Sequence, residues 1–156
     1  MDQLMKTKLK MAHGVTMLVV FAMMIVALKA AFDSHNLKTP PIPNMYTLHS
    51  WIGLTAAVLF GLQWISGLTV FLFPIAGPKL RANLLPFHQY YGSCIFGLVI
   101  AASWMGLLEK SIWAISDYSS KTGEGILVNV LGLMILFFGL GVTFMLSKFD
   151  KTNKEL

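Results

Sequence analysis

Charge is what this sequence has least of. Of its 156 residues only 12% are Asp, Glu, Lys or Arg, while 56% are hydrophobic. An ordinary soluble domain carries about twice that share of charge, and the mean hydropathy here is +0.68. Four windows hold no charged side chain at all: Met11–Leu28, Trp51–Ile75, His88–Leu108 and Ile126–Leu146. Such lengths fit the roughly 20 residues needed to cross about 30 Å of hydrocarbon. In lipid these runs must be helical, because the backbone finds no water to bond. A soluble enzyme is excluded. Nucleic-acid binding is excluded too, since the basic residues are few and line a membrane face rather than a groove. Cysteine is nearly absent as well. The lone Cys94 rules out a disulfide within the chain, leaves the redox compartment unreadable, and reads as a small packing residue of the third window. Internal repeats and low-complexity tracts are missing.

What is present therefore predicts an all-α membrane protein, with four transmembrane helices in a bundle. It forms one domain over residues 1–156, with helices at about 11–31, 48–73, 87–110 and 125–147. The first window follows Lys6, Lys8 and Lys10, as a signal peptide would. It is longer than the usual apolar region of about 7 to 15 residues, so it is kept as a helix of the mature chain. Four crossings put both termini and the 76–87 loop on one face. That face takes Lys6, Lys8, Lys10, Lys79, Arg81, Lys148, Lys151 and Lys154 against Asp2, Asp150 and Glu155. The opposite loops balance Lys29, Lys38, Lys110 and Lys121 against Asp33, Glu109, Asp117 and Glu124. Positive charge is retained inside, so both termini are expected in the cytosol. The prolines of "TPPIPN" break the chain between the first two helices. Pro74 and Pro78 are placed to close the second helix, and Pro86 to start the third. Gly53, Ala57 and Gly61 repeat at every fourth position, a spacing that lets a neighbour approach closely and is read as plain helix packing.

The stretch "NMYTLHSWIG" sets His49 beside Trp51, at the mouth of a run without charge from Thr39 to Pro78. The topology sorts the other histidines by depth. His13 and His88 lie at similar depth near the cytosolic ends of the first and third windows, while His49 and His35 belong to the opposite end. Each alone is adequately explained as an interfacial imidazole reaching for headgroups. Together they invite a functional reading, because ionisable groups inside membranes are rare and usually mark function. Zinc would want a third or fourth ligand, and none stands at that depth on the first or third window. A haem needs only two axial ligands from the protein, since the porphyrin supplies the rest, and two imidazoles favour electron transfer over oxygen chemistry. If His49 held a second haem, the two irons would stand roughly 20 Å apart along the membrane normal.

The blocks "LKMAH", "FDSHN", "NMYTLHSW", "LPFHQYYG", "GLLEK" and "GEGILVNVLG" together resemble the cytochrome b561 family of ascorbate-dependent transmembrane reductases. The resemblance spans essentially the whole chain, and "TLHSW" is its most specific piece. It implies two b-type haems, the cytosolic one held by His13 and His88 and the outer one ligated by His49. It implies an ascorbate site at Lys6, Lys10 and Arg81, although positive-inside signalling explains such lysines, and Lys8, equally well. Asn44, Met45, Tyr46, Thr47 and Glu109 would edge the outer haem. His35 would lie at the outer substrate site, where ferric iron or monodehydroascorbate is reduced. The implied activity is that of a transmembrane oxidoreductase of the ferric-reductase type, and family members dimerise.

Family members have six helices, and this chain begins where their third would. The cytosolic site is therefore expected to be complete and the outer one half-built, with the imidazole opposite His49 coming from absent helices or from another chain. The competing expectations are a non-catalytic helical membrane subunit or shortened isoform holding one haem or none, and a transporter or channel. The last is disfavoured, because the spans lack broken helices and bury only two amides, Gln63 and Asn129. Asn129 is read as an interhelical hydrogen bond.

Overall fold

A computed structural model describes residues 2–73 and 75–154, with side chains through Lys148. Helix α1 spans Gln3–Asn36 and α2 spans Leu48–Gly67, running into a π-helical turn at Leu68–Leu72. Helix α3 spans Pro78–Ala114, and a 3-10 turn at Tyr118–Ser120 leads to α4, Gly123–Lys154. There is no strand among the described residues. All four helices are long and apolar enough to cross a membrane.

The prolines act differently from the sequence expectation. Pro78 opens α3 instead of closing α2, and Pro86 lies inside α3 instead of starting it. The ring of proline is pre-organised for a first helical turn, where a missing N–H costs nothing. The following "KLRANLL" contains good helix formers that carry the helix past Pro86. Pro86 then deprives the Ala82 carbonyl of its helical donor. Pro74, expected to close the second helix, and Glu155 lie outside the described residues, as do the side chains of Asp150, Lys151 and Lys154.

Two compact units divide the chain, Met1–Ile95 and Phe96–Leu156. In the first, Phe21 of α1 stacks on Trp64 of α2 with centroids 4.6 Å apart and planes within 7°. A Cβ at Gly61 would stand 3.6 Å from the Phe21 ring, so this member of the small-residue stripe serves close packing. Gly14 of α1 likewise faces Leu72 of the π-turn. Cys94 is exposed, which corrects the expectation of a packed thiol.

In the second unit, the indole Nε1 of Trp104 donates to the Gly132 carbonyl at 2.8 Å. Gly139 lies against Ile100, and Gly132 against Leu107. The Tyr118 hydroxyl donates to Asn129 Oδ1 at 2.6 Å. Asn129 is thus tied to the 3-10 turn, and not to a neighbouring long helix as expected. Much of the buried set is small, Ala56, Ala76, Ala102 and Ser111 among it, while Val26, Leu62 and Phe137 are exposed. Small residues inside and large apolar ones outside is the inversion that lipid permits, because tails solvate Leu and Phe while close contact rewards small side chains. Trp104→Phe removes one bond made across a glycine and is expected to lower stability by about 0.6 kcal/mol, the average for hydrogen bonds within membranes. Reversible unfolding in mixed micelles, compared with the unmodified chain, measures it.

Candidate functional site

Two clusters of polar side chains occupy opposite ends of the first unit. At one end, α1 carries His13 and α3 carries His88, with ring centroids 6.5 Å apart and planes crossing at 87°. His13 is exposed and His88 half-buried. A metal–imidazole bond of about 2.0 Å, with about 1.1 Å more from nitrogen to ring centre, puts two axial ligands of one ion about 6.2 Å apart. The observed spacing fits that figure, and perpendicular planes are open to axial imidazoles because each turns freely about its own bond. No group of three or more His, Cys, Asp or Glu able to hold a metal ion occurs among the described residues. The pair therefore suits a group that brings its own equatorial ligands.

Helix α2 and its π-turn hold His88 in place. The Phe71 ring lies 5.0 Å from the His88 ring. A Cβ at Gly67 would come within 3.3 Å of His88 Cε1, so only glycine leaves the imidazole its full space. Gln63 Nε2 donates to the His88 carbonyl at 2.6 Å. None of these three was singled out from sequence as a site residue. The one available signal was Gln63, the sole amide of the second uncharged window.

Next to the pair, Lys6, Lys10 and Arg81 come together as expected and line an open groove of about 460 Å³ with Gln3 and Thr7. Lys8 is exposed and does not line it. Arg81 Nε is buried without a hydrogen-bond partner, while Lys10 Nζ donates to the Phe71 carbonyl at 3.0 Å. Cationic side chains around an open groove make a place for a small anion.

At the other end, Thr47 caps α2, its hydroxyl accepting from the Ser50 amide at 3.3 Å and pairing with the Ser50 hydroxyl at 3.1 Å. His49 follows two residues later and is half-buried. The Trp51 indole donates to the Met45 carbonyl at 2.9 Å, and Met45 takes a left-handed conformation with φ 58°. Asn44 Nδ2 donates to Asn36 Oδ1 at 2.7 Å, tying the loop to the end of α1. There the His35 carbonyl accepts from the Ile42 amide. Tyr46 is exposed, and Glu109 is half-buried in α3, in the second unit. Along α1 the two ends are far apart: His13 to His35 is about 33 Å at 1.5 Å per residue.

A multi-pass helical membrane protein with paired imidazoles at one end is the class these features define. Its family follows from comparison with known proteins. The model for eukaryotic cytochrome b561 matches residues 1–114, and the chain belongs to that family. It is 47% identical over 144 residues to the plasma membrane ascorbate-dependent reductase CYBRD1 of Xenopus tropicalis, covering 91% of this chain and 50% of that protein. It is 39% identical over 146 residues to the transmembrane ascorbate-dependent reductase CYB561 of Sus scrofa, covering 93% and 57%. To the lysosomal membrane ascorbate-dependent ferrireductase CYB561A3 of Rattus norvegicus it is 38% identical over 141 residues, covering 88% and 54%. The chain spans about half the length of these relatives.

Thr47→Ala removes the cap that orients the His49 turn, and should destabilise the start of α2 by about 1 kcal/mol. Amide hydrogen exchange at Ser50 should quicken accordingly, while exchange at the His88 turn stays unchanged.

Proposed function

We propose that this chain takes electrons from ascorbate on the cytosolic side and passes them, through a b-type haem held by His13 and His88, toward an acceptor on the opposite face. The observation that carries this reading is the 6.5 Å separation of the two rings, with a cation-lined groove beside them. When bound, haem with two imidazole ligands supplies reversible one-electron transfer. Held by both His13 and His88, the group would offer oxygen no open position. Lys6, Lys10 and Arg81, which line the groove, hold the ascorbate anion near the imidazoles.

The relatives' names point the same way. Those quoted are called ascorbate-dependent, and the lysosomal relative a ferrireductase, so ferric iron is the proposed acceptor, with monodehydroascorbate the alternative. For the far end we propose His49 as one axial ligand of a second haem, its other ligand coming from a further segment or chain. Asn44, Met45, Tyr46 and Thr47 would edge it, and His35 would meet the acceptor. This end, and both termini, are proposed to be cytosolic, a reading that the excess of Lys and Arg beside His13 and His88 supports.

Haem reconstitution tests the reading. The chain in micelles with one equivalent of hemin should show a b-type spectrum reducible by ascorbate. His13→Ala and His88→Ala should each abolish the low-spin ferric signal, while His49→Ala leaves it in place. A chain that inserts and folds but takes up no reducible haem would overturn the proposal. Arg81→Ala should raise the ascorbate concentration for half-maximal reduction about tenfold, the loss of roughly 1.4 kcal/mol from one charge-assisted hydrogen bond; an unchanged value removes Arg81 from the substrate site.

A further inference from the structure

Gln63, Gly67 and Phe71 follow one another at intervals of four along α2 and its π-turn, and all three meet His88. An α-helix advances about 100° per residue, so each step of four drifts roughly 40° around the axis. Two such steps would carry Phe71 well away from the face that Gln63 presents. The π-helical turn at Leu68–Leu72 is wider than an α-turn, its i→i+5 bond running from the Phe73 amide to the Leu68 carbonyl at 2.9 Å. It turns the chain less per residue and brings Phe71 back in line. Single π-turns inside helices are rare and frequently sit at functional sites. Here the turn aligns a three-residue cradle on one imidazole.

Within that cradle Gln63 makes the only directional contact. Its amide lies beneath α3 at Gly92, where a Cβ would stand 3.6 Å from Gln63 Nε2, and it donates to the His88 carbonyl at 2.6 Å. Pro86, two residues before His88, removes the donor to the Ala82 carbonyl and loosens the turn that leads into His88. A polar amide inside an apolar span is expensive, and a plain packing position would be filled by Leu or Met.

We infer that Gln63 is a positioning residue for His88, fixing the height and rotation of its turn from α2 so that the imidazole meets its ligand in one orientation. This rests on the haem reading for what the imidazole binds, though not for the bond that holds it. Partners of this kind, which orient a metal's ligand from outside, typically change affinity 10- to 100-fold when removed.

The test uses the full chain in micelles, unmodified and as Gln63→Leu, a change that replaces a buried amide by an apolar side chain and favours insertion. Infrared spectra with 13C-labelled histidine carbonyls read the bond without cofactor. The His88 band should rise in frequency in the variant, as expected for a carbonyl that has lost a donor. With hemin added, the variant should release it about tenfold faster, and its low-spin EPR signal should broaden and shift in g. An infrared shift without change in release rate or EPR overturns the positioning role, and so does no infrared shift at all. Should the unmodified chain show no low-spin signal, the haem reading fails while the infrared comparison still decides whether Gln63 holds the His88 turn.

Discussion

Hydrocarbon offers no partner to a backbone N–H or C=O, so every departure from plain helix within a span has to be answered by the protein itself. The first unit departs twice, and both times beside His88. The π-turn at Leu68–Leu72 disturbs the regular ladder, and the Phe71 carbonyl receives the Lys10 ammonium. Pro86 frees the Ala82 carbonyl in the turn before His88, and beyond it Gln63 reaches across from α2 to the His88 carbonyl. The Lys10 and Gln63 contacts together tie α1, α2 and α3 around one imidazole.

The same solvent explains why the interior looks inverted beside that of a soluble protein. Burying Leu or Phe gains nothing against lipid tails, so helices meet where side chains are small. Ala56, Gly61 and Ala102 mark such places, and aromatic rings enter only where a glycine makes room, as Phe21 does at Gly61. Gly67 uses the same device, leaving the space of a side chain to the His88 ring.

Much of this was legible in the residues. Windows without charge gave the four helices, since no other structure spans lipid. Matching depth paired His13 with His88, because helices fix height even where they leave rotation open. Lys6, Lys10 and Arg81 were singled out only by the family resemblance, since sharing one end would have admitted Lys8 and Lys79 as well. Register was not legible. Nothing in "ISGLTVFLF" announces a π-turn. Pro86 misled because a proline at a span's mouth reads as a start, and only the fold reveals that Pro78 had already begun the helix. Gln63 stood out as a lone amide, yet its partner is a backbone carbonyl, and backbone acceptors are invisible in a list of side chains. The chemistry of "TLHSW" divided similarly: His49 was evident, whereas Thr47 as the cap and Trp51 as the clamp on Met45 emerged from the geometry.

Helix α1, with 34 residues, is about 51 Å long at 1.5 Å per residue, against about 30 Å of hydrocarbon. Some 20 Å of it therefore stands clear of the acyl chains, and Lys6 lies on its first two turns. A water-soluble molecule would then never have to leave the headgroup layer to come within reach of the ring on His13.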